Sequence, residues 1–252
     1  RVPLQGEDEV ADLSARFNSA AERIEALMAT QHQLLASQKS LLANASHELR
    51  SPLTRIRMGM ELMGSQPGPA FREEISRNIA ELDQLIDEIL LASRLDAREA
   101  DVGTVESIDL LGLVVEESAR AGAELELVEE VDSLLVPGVA KLLRRLVRNL
   151  LENARRYGGA AGAHGITVMV GREGAQALLR VCDRGPGVPP EQRERIFEPF
   201  YRLPGASERE GGVGLGLALV KSIAERHGGS VLCEARNEGG ACFTVRLPLS
   251  AC

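Results

Sequence analysis

A histidine beside a glutamate is the first pair of residues in this sequence that could do chemistry. His47 and Glu48 lie in the stretch 43–57, ANASHELRSPLTRIR, where helical spacing is interrupted only by Pro52. A neutral imidazole nitrogen is a competent nucleophile, and a neighbouring carboxylate can fix its tautomer and accept its proton. The same pair is common on ordinary solvated helices, so its meaning depends on the motifs farther along the chain.

A second set of polar side chains occupies residues 149–157, NLLENARRY. Asn149 and Asn153 are four residues apart and therefore share one face of a predicted helix. A carboxamide oxygen is a hard ligand that suits Mg²⁺, which otherwise keeps waters and phosphate oxygens. Arg156 could reach a phosphate and Tyr157 could cover a base, although two asparagines at this spacing also arise by chance.

Three further stretches complete a possible nucleotide site. Asp183 follows a predicted strand and could accept from an adenine amino group, while Gly185 and Gly187 would let the backbone approach the ring; a plain turn is the alternative. Residues 196–202, IFEPFYR, form an aromatic cluster that ends in Arg202 and is equally consistent with core packing. The loop 203–210 after it is predicted to be a mobile lid.

The last stretch, residues 211–219, reads GGVGLGLAL and runs into a predicted helix. Backbone N–H groups in such a loop can face an anion, and the helix N-terminus adds favourable partial charge. It lacks the lysine of a Walker loop, and the preceding strand of a dinucleotide fold is not evident. The candidate residues here are Gly212, Gly214, Leu215 and Gly216.

The first third of the chain predicts helices that cannot bury their apolar residues alone. A heptad seam favours a parallel dimeric coiled coil, with a helix packed on its own domain as the alternative. The spacing shifts after Ala45, so His47 lies off the apolar face and should be exposed. A turn at 64–69 and a second helix then predict an antiparallel hairpin, which becomes a four-helix bundle in a dimer. The seam consists of Val10, Leu13, Phe17, Ala20, Ile24, Leu27, Leu34, Leu41 and Ala45, and the second helix carries Ile75, Ile79, Leu82, Ile86 and Ile89.

After a polar linker at 96–104 the pattern changes to alternating helices and strands. Turns at 171–174 and 237–240 indicate hairpins, so we expect an α+β sandwich with helices on one face of a mixed sheet. The predicted helices are 110–121, 139–157 and 215–227, and the predicted strands are 124–128, 166–171, 177–182, 230–235 and 241–247.

Composition excludes some functions and limits others. The 252 residues carry a net charge of −8 and only 3% aromatic side chains, which argues against a nucleic-acid surface. Cys182, Cys233, Cys242 and Cys252 form no CxxC pair, so we predict reduced cysteines of a cytosolic compartment. No apolar run approaches the ~18 residues of a membrane span. Because the chain opens on Arg1 without an initiator methionine, we interpret it as a fragment.

Taken in this order, the motifs resemble those of the bacterial sensor histidine kinases of two-component systems, over nearly the whole chain. Residues 47–53 resemble the histidine box of that family and 149–157 its asparagine box. Residues 183–187 and 212–216 resemble the two glycine boxes of the family, and residues 197–202 resemble its phenylalanine box. Residues 3–18 resemble the end of a HAMP linker. The resemblance implies a helical-hairpin dimerisation domain followed by an ATP-binding domain of the type shared with gyrase, Hsp90 and MutL.

The resemblance also implies an activity: ATP-dependent phosphorylation of His47, then transfer to an aspartate of a response regulator. Asp183 would bind adenine, Asn153 would hold Mg²⁺ with Asn149 assisting, and Arg156 would face phosphate. Glu48 would be the base or the orienting group. Gly212, Gly214 and Gly216 would cradle the triphosphate, with Gly185, Gly187, Tyr157, Arg202 and Leu215 completing the site.

Two positions depart from the family pattern. Ser51 stands where threonine or asparagine often orients water for regulator dephosphorylation, which leaves that second activity open. Val213 stands where a hydroxyl residue is frequent, and it removes one possible phosphate contact.

The resemblance further predicts the organisation and location of the chain. We expect a HAMP helix and coiled coil at 1–30, a dimerisation and phosphotransfer domain at 31–98, and a catalytic domain at 104–252. The homodimer would be the cytoplasmic portion of a bacterial inner-membrane protein. The alternatives are a signalling scaffold whose ATP site only shifts conformation, and an ATPase of the gyrase or MutL kind.

Overall fold

The computed structural model describes residues 9–62, 69–96, 103–128, 132–158, 165–204, 213–236 and 239–250. These residues form five α-helices, two short 3-10 helices (Pro190–Gln192 and Arg195–Phe197) and seven strands. The helices are α1 (Glu9–Leu62), α2 (Pro69–Asp96), α3 (Leu110–Ala121), α4 (Ala140–Tyr157) and α5 (Gly216–Arg226). The strands are β1 (Glu106–Asp109), β2 (Glu124–Leu127), β3 (Leu135–Gly138), β4 (Thr167–Glu173), β5 (Gln176–Cys182), β6 (Ser230–Ala235) and β7 (Ala241–Pro248).

The chain divides into two compact units, residues 1–47 and 48–252. The described part of the first unit is helical and belongs to α1. Its large apolar side chains face solvent: Leu27 is 69% exposed, and Leu13, Phe17 and Ile24 are exposed as well. A single chain therefore leaves these four side chains of the predicted heptad seam uncovered, whereas Ala45 at the end of the seam is buried.

The second unit begins with the end of α1 and with α2. Helix α1 continues through Pro52, which has no N–H to donate to the carbonyl of Glu48 four residues earlier. Helix α2 opens on Pro69, as predicted, because proline suits a first helical turn. It buries Leu85, Ala92 and Leu95 but exposes Ile79 and Ile86 of the predicted apolar face. Most of the predicted turn at 64–69 and linker at 96–104 lies outside the described residues.

The remainder of the second unit is a sandwich of one sheet and three helices. Strands pair in the order β2-β4-β5-β7-β6, with β2 parallel to β4 and the other neighbours antiparallel. Alternate strand residues such as Val181, Val245 and Leu247 are fully buried, as are Leu143 and Leu219 on α4 and α5. The predicted α+β sandwich with a mixed sheet is confirmed.

A separate two-stranded sheet, β1 with β3, is absent from the sequence predictions. Each strand has four residues, and β3 contains Pro137, so neither carries a strand-like pattern long enough to recognise. Asp109 joins this sheet to α3, because its Oδ1 accepts from the backbone N–H groups of Leu111 and Leu134, each at 3.1 Å. The carboxylate therefore caps α3 and fixes the approach to β3.

The prediction that all four cysteines are reduced is wrong for two of them. Cys182 and Cys242 are directly opposite each other on β5 and β7 and form a disulfide. They are 60 residues apart in sequence, so only the register of the sheet reveals the pair. Cys233 is free and buried, and Cys252 lies outside the described residues.

Candidate functional site

The candidate phosphoacceptor lies on the surface of α1. His47 is exposed, as the apolar spacing predicted, and is the last residue of the first unit. Glu48 is half-buried and Ser51 is exposed, and both belong to the second unit. The imidazole is therefore open to a reagent in solution.

Asp183 is the most enclosed polar residue among the candidates, with 3% of its surface exposed. Its Oδ1 accepts from the backbone N–H of Gly185 at 2.8 Å and from that of Ala241 at 3.2 Å. The described residues donate no bond to Oδ2. This oxygen is therefore available to accept from a ligand N–H group.

Two glycines let the loop after Asp183 approach the end of α4 and the β6–β7 turn. A Cβ on Gly185 would lie 2.0 Å from the carbonyl oxygen of Tyr157, so only glycine fits there. Gly187 has a φ of +76°, and a Cβ there would lie 2.9 Å from the carbonyl oxygen of Gly240. This close packing brings the end of α4, at Tyr157, against the loop that follows Asp183.

Asn149 joins the asparagine-bearing helix to the glycine-rich one. Its Nδ2 donates to the carbonyl oxygen of Gly216 at 3.0 Å, and the side chain is only 5% exposed. Leu215, immediately before α5, is fully buried and anchors the start of that helix. The geometry therefore gives Asn149 a positioning contact, and the half-buried Asn153 one turn later is the freer amide.

The aromatic cluster holds the glycine-rich stretch from the other side. Phe200 donates its N–H to the carbonyl oxygen of Gly214 at 3.0 Å. Gly214 has a φ of +80°, and a Cβ there would lie 2.9 Å from the backbone of Phe200, so a side chain is excluded. Phe197 packs edge-on against Phe243 of the sheet, with 6.3 Å between ring centroids. The cluster thus serves both the core and the site, which the sequence presented as alternatives.

Three predicted residues are less closely joined to Asp183. Arg156 is exposed and lines a polar cleft of about 400 Å³ together with Gln84, Glu152 and Arg155. Arg202 is half-buried after the aromatic cluster. Gly212 and most of the predicted lid at 203–210 lie outside the described residues, so their predicted roles remain predictions.

Helix α4 is held in place by two groups that the motifs did not indicate. His227 accepts the N–H of Val139, directly before α4, at Nε2 (3.1 Å), while its Nδ1 lies 2.7 Å from the carbonyl oxygen of Ile223. These bonds require a neutral ring protonated on Nδ1, and burial lowers the pKa of His227. Val139 is 88 residues away in sequence, so no local pattern could have found the contact.

The second group is Glu117 on α3, which is 3% exposed. Its carboxylate accepts two bonds from Arg148, at 2.7 Å and 3.1 Å, and a third from Arg144. The bond from Arg148 is the largest influence, and it lowers the pKa of Glu117 although burial opposes it. Because Arg148 precedes Asn149, this ion pair fixes the rotation of α4 beside the site.

Two protein families match separate parts of the chain. Residues 37–98 match the family described as the His Kinase A (phospho-acceptor) domain. Residues 138–251 match the family described as histidine kinase-, DNA gyrase B-, and HSP90-like ATPase. The first range contains His47 and the second contains Asp183, Asn149 and Asn153, so the two groups of candidate residues fall in different families.

Individual sensor proteins are also similar to this chain in sequence or in fold. Sensor protein RstB of Escherichia coli strain K12 is 36% identical over 242 residues, covering 94% of this chain and 53% of that protein. Sensor protein CutS of Streptomyces coelicolor is 33% identical over 261 residues, covering 99% of this chain and 60% of its own length. The chain thus spans little more than half of these relatives. The solved structure of the Acinetobacter baumannii histidine kinase AdeS is similar in fold, with a TM-score of 0.63, 20% identity, and coverage of 81% of this chain and 98% of that one.

Proposed function

This chain belongs to the bacterial two-component sensor histidine kinases, and we propose that it phosphorylates its own His47 from ATP and passes the phosphoryl group to an aspartate of a response regulator. The observation that carries the proposal is an exposed histidine in the phosphoacceptor match, followed in the ATPase match by a buried aspartate whose Oδ2 accepts no bond from the described residues.

The proposed chemistry at His47 is a nucleophilic displacement. A ring nitrogen of His47 attacks the γ-phosphorus, the bond from that phosphorus to the bridging oxygen breaks, and ADP leaves with the electron pair. Glu48 fixes the tautomer of the ring and accepts its proton. The phosphoryl group then moves to a carboxylate oxygen of the regulator, and the imidazole is restored. The protein's contribution is positioning and neutralisation of phosphate charge.

The residues around Asp183 fit an adenine nucleotide. Oδ2 of Asp183 accepts from the exocyclic amino group, while Gly185 and Gly187 admit the ring and Tyr157 covers it. Asn153 supplies an amide oxygen to Mg²⁺, which when bound neutralises the developing phosphate charge. The remaining phosphate contacts come from the backbone around Gly212, Gly214 and Gly216 and from Arg156 and Arg202. Asn149 keeps the two helices in register for this arrangement.

The uncovered apolar faces support a homodimer. The exposed side chains on α1 and on α2 repeat at helical spacing, and a second copy would cover both sets. We propose that the dimer is the cytoplasmic portion of a membrane-anchored protein and that residues 3–18 are the end of a HAMP linker. None of the helices in the described residues is long and apolar enough to cross a bilayer.

Labelling with γ-phosphate-labelled ATP and Mg²⁺ tests the proposal. We expect label that is stable in alkali and lost in acid, as for a phosphohistidine, and complete loss of it in His47→Gln. His32→Gln is the matched control, since His32 is another exposed histidine of α1. Label that survives in His47→Gln would refute the phosphosite, whereas nucleotide binding without any labelling would favour the scaffold alternative. Sustained phosphate release from an unlabelled protein would favour the ATPase.

Transfer to the regulator needs a second measurement. The labelled protein, mixed with a receiver domain, should lose its label to that domain. Ser51→Ala then tests dephosphorylation, because a serine hydroxyl can hold the attacking water. If Ser51 has that role, the phosphorylated receiver domain loses its label faster with wild type than with Ser51→Ala. Equal rates or the opposite order would contradict the role.

A further inference from the structure

The disulfide lies one residue from the proposed adenine-binding carboxylate. Cys182 is the last residue of β5, and Asp183 follows it directly; Cys242 is the second residue of β7, and Ala241 precedes it. The register that places Cys182 opposite Cys242 therefore places Asp183 opposite Ala241 as the next pair. The bridge closes the end of the β5–β7 ladder that carries the site.

Asp183 depends on this end of the ladder for its orientation. Its N–H donates to the carbonyl oxygen of Ala241 at 2.9 Å, and its Oδ1 accepts from the N–H of Ala241 at 3.2 Å. A Cβ on Gly240 would lie 2.1 Å from the carbonyl oxygen of Asp183, so the two backbones are as close as glycine allows. Any widening between β5 and β7 here loosens both bonds and turns the carboxylate.

The sulfur atoms and the carboxylate lie on opposite faces of the sheet. Because strand side chains alternate, Asp183 shares the inner face with Val181, whereas Cys182 shares the outer face with Arg180. Arg180 joins Thr244 at 3.1 Å and Glu234 at 3.0 Å, on the face away from the helices. Cys182 and Cys242 are buried, with 5% and 7% of their surface exposed, and their bond lies on the face opposite the carboxylate.

Cys233 provides an internal contrast. It is opposite Phe243 on β6 and therefore shares the inner face, where burial raises the pKa of its thiol to about 11. A thiol with that pKa stays protonated near neutral pH and exchanges slowly with disulfides. Of the three cysteines in the described residues, only Cys182 and Cys242 lie opposite each other and form a disulfide.

We propose that Cys182 and Cys242 are a redox-sensitive modification site that tightens the nucleotide pocket when oxidised. Two thiols and one low-molecular-weight disulfide become the protein disulfide and two small thiols, so two electrons and two protons pass to the small disulfide. Disulfides in a reducing cytoplasm are usually transient and redox-sensing. The inference rests on the proposed ATP site and cytoplasmic location, and it adds a chemical input that acts on the ATP-binding end of the sheet.

Thiol counting tests the bond, and nucleotide binding tests its effect. After equilibration with oxidised glutathione, alkylation of the unfolded chain should modify two of the four cysteines, and all four after dithiothreitol. The affinity for a fluorescent ATP analogue should fall about fivefold on reduction, equivalent to about 1 kcal/mol. The paired variant Cys182→Ala/Cys242→Ala should bind like the reduced protein under both conditions, and Cys233→Ala should keep the fivefold response.

The outcomes separate this inference from the proposed function. Four modified cysteines after glutathione treatment, or equal affinity in both redox states, would overturn the redox site while leaving the kinase proposal intact. An absence of nucleotide binding in both states would instead refute the ATP site. A response retained in the paired variant, or lost in Cys233→Ala, would assign the effect to a different cysteine and overturn the inference as well.

Discussion

The helical region and the sandwich differ in how much of their apolar surface one chain can bury. In α1, Leu27 of the predicted seam is 69% exposed, whereas Leu143 of α4 is completely buried. The sandwich is therefore finished within one chain, but the helix that carries His47 still needs a partner for its apolar side chains. The comparison teaches that nucleotide binding and self-association have separate physical origins and should be separable by mutation.

Several polar groups of the sandwich are likewise buried, whereas an ion pair of the helical region is exposed. In the sandwich, buried Glu117, Asp183 and Asn149 each have short bonds to defined partners. The ion pair between α1 and α2, Arg55 with Glu81 at 2.9 Å, has both side chains more than half exposed. Exposed pairs contribute about 0–1 kcal/mol. The stability of the sandwich should thus depend on burial, and that of the helical region on protein concentration.

The sharpest test of this contrast is the same substitution in each region. Leu143→Ala should lower the free energy of unfolding of the sandwich by about 3 kcal/mol, since it removes a buried side chain and leaves a cavity. Leu27→Ala should leave the unfolding of the sandwich unchanged but weaken the dimer about tenfold, or about 1.4 kcal/mol. Urea unfolding measures the first effect, and sedimentation equilibrium measures the second.

The crossed measurements complete that test. Leu143→Ala should not change the dissociation constant of the dimer under conditions where the sandwich is still folded. A dimer weakened equally by both substitutions would mean that the sandwich contributes to self-association. That result would break the contrast between the regions.

Asp183→Asn should weaken ATP binding about a hundredfold, equivalent to about 2.7 kcal/mol, while the dimer persists. The amide would present N–H groups either to the adenine amino group or to the donors Gly185 and Ala241, so one set of bonds is lost in each orientation. Isothermal titration measures the affinity. Asp132→Asn, an exposed aspartate of the same region, is the matched control and should bind normally.

The sequence was informative where a contact is local or periodic. Helix α3 begins and ends at the predicted residues, and β6 does as well, because turns and glycines mark their ends. The glycine motifs were recognised as places of close backbone approach, and Gly185 and Gly214 have that role in the structure.

Contacts that depend on the register of distant strands were not predictable in this way. The Cys182–Cys242 bond and the bond from Val139 to His227 join residues 60 and 88 positions apart. No spacing rule indicates either partner, since each pair meets only after the sheet and helices have packed. The sequence alone therefore located the motifs of the site but missed the residues that hold α4.

The smallest expected effect concerns His227. It distinguishes the sandwich from the helical region by the pH dependence of its stability. Burial lowers the pKa of this ring from its ordinary 6.5, with a smaller contribution from Arg226, so the unfolded chain binds a proton at a higher pH than the folded one. The stability of the sandwich is thus full above that value and falls as the pH drops towards the lowered pKa. The sandwich loses about 1.4 kcal/mol of stability for each unit by which the pKa of His227 is lowered.

His227→Gln should remove this slope of the unfolding free energy against pH, because a glutamine has no proton to gain. Urea unfolding of the sandwich at about pH 7.5 and about pH 5.5 measures it. His32→Gln, which changes an exposed histidine of α1, should retain the wild-type slope, since no buried bond of the sandwich depends on that ring. Equal slopes in wild type and His227→Gln would show that protonation of His227 does not cause the pH dependence, and the anchoring of α4 would then be assigned to Glu117 and its arginines.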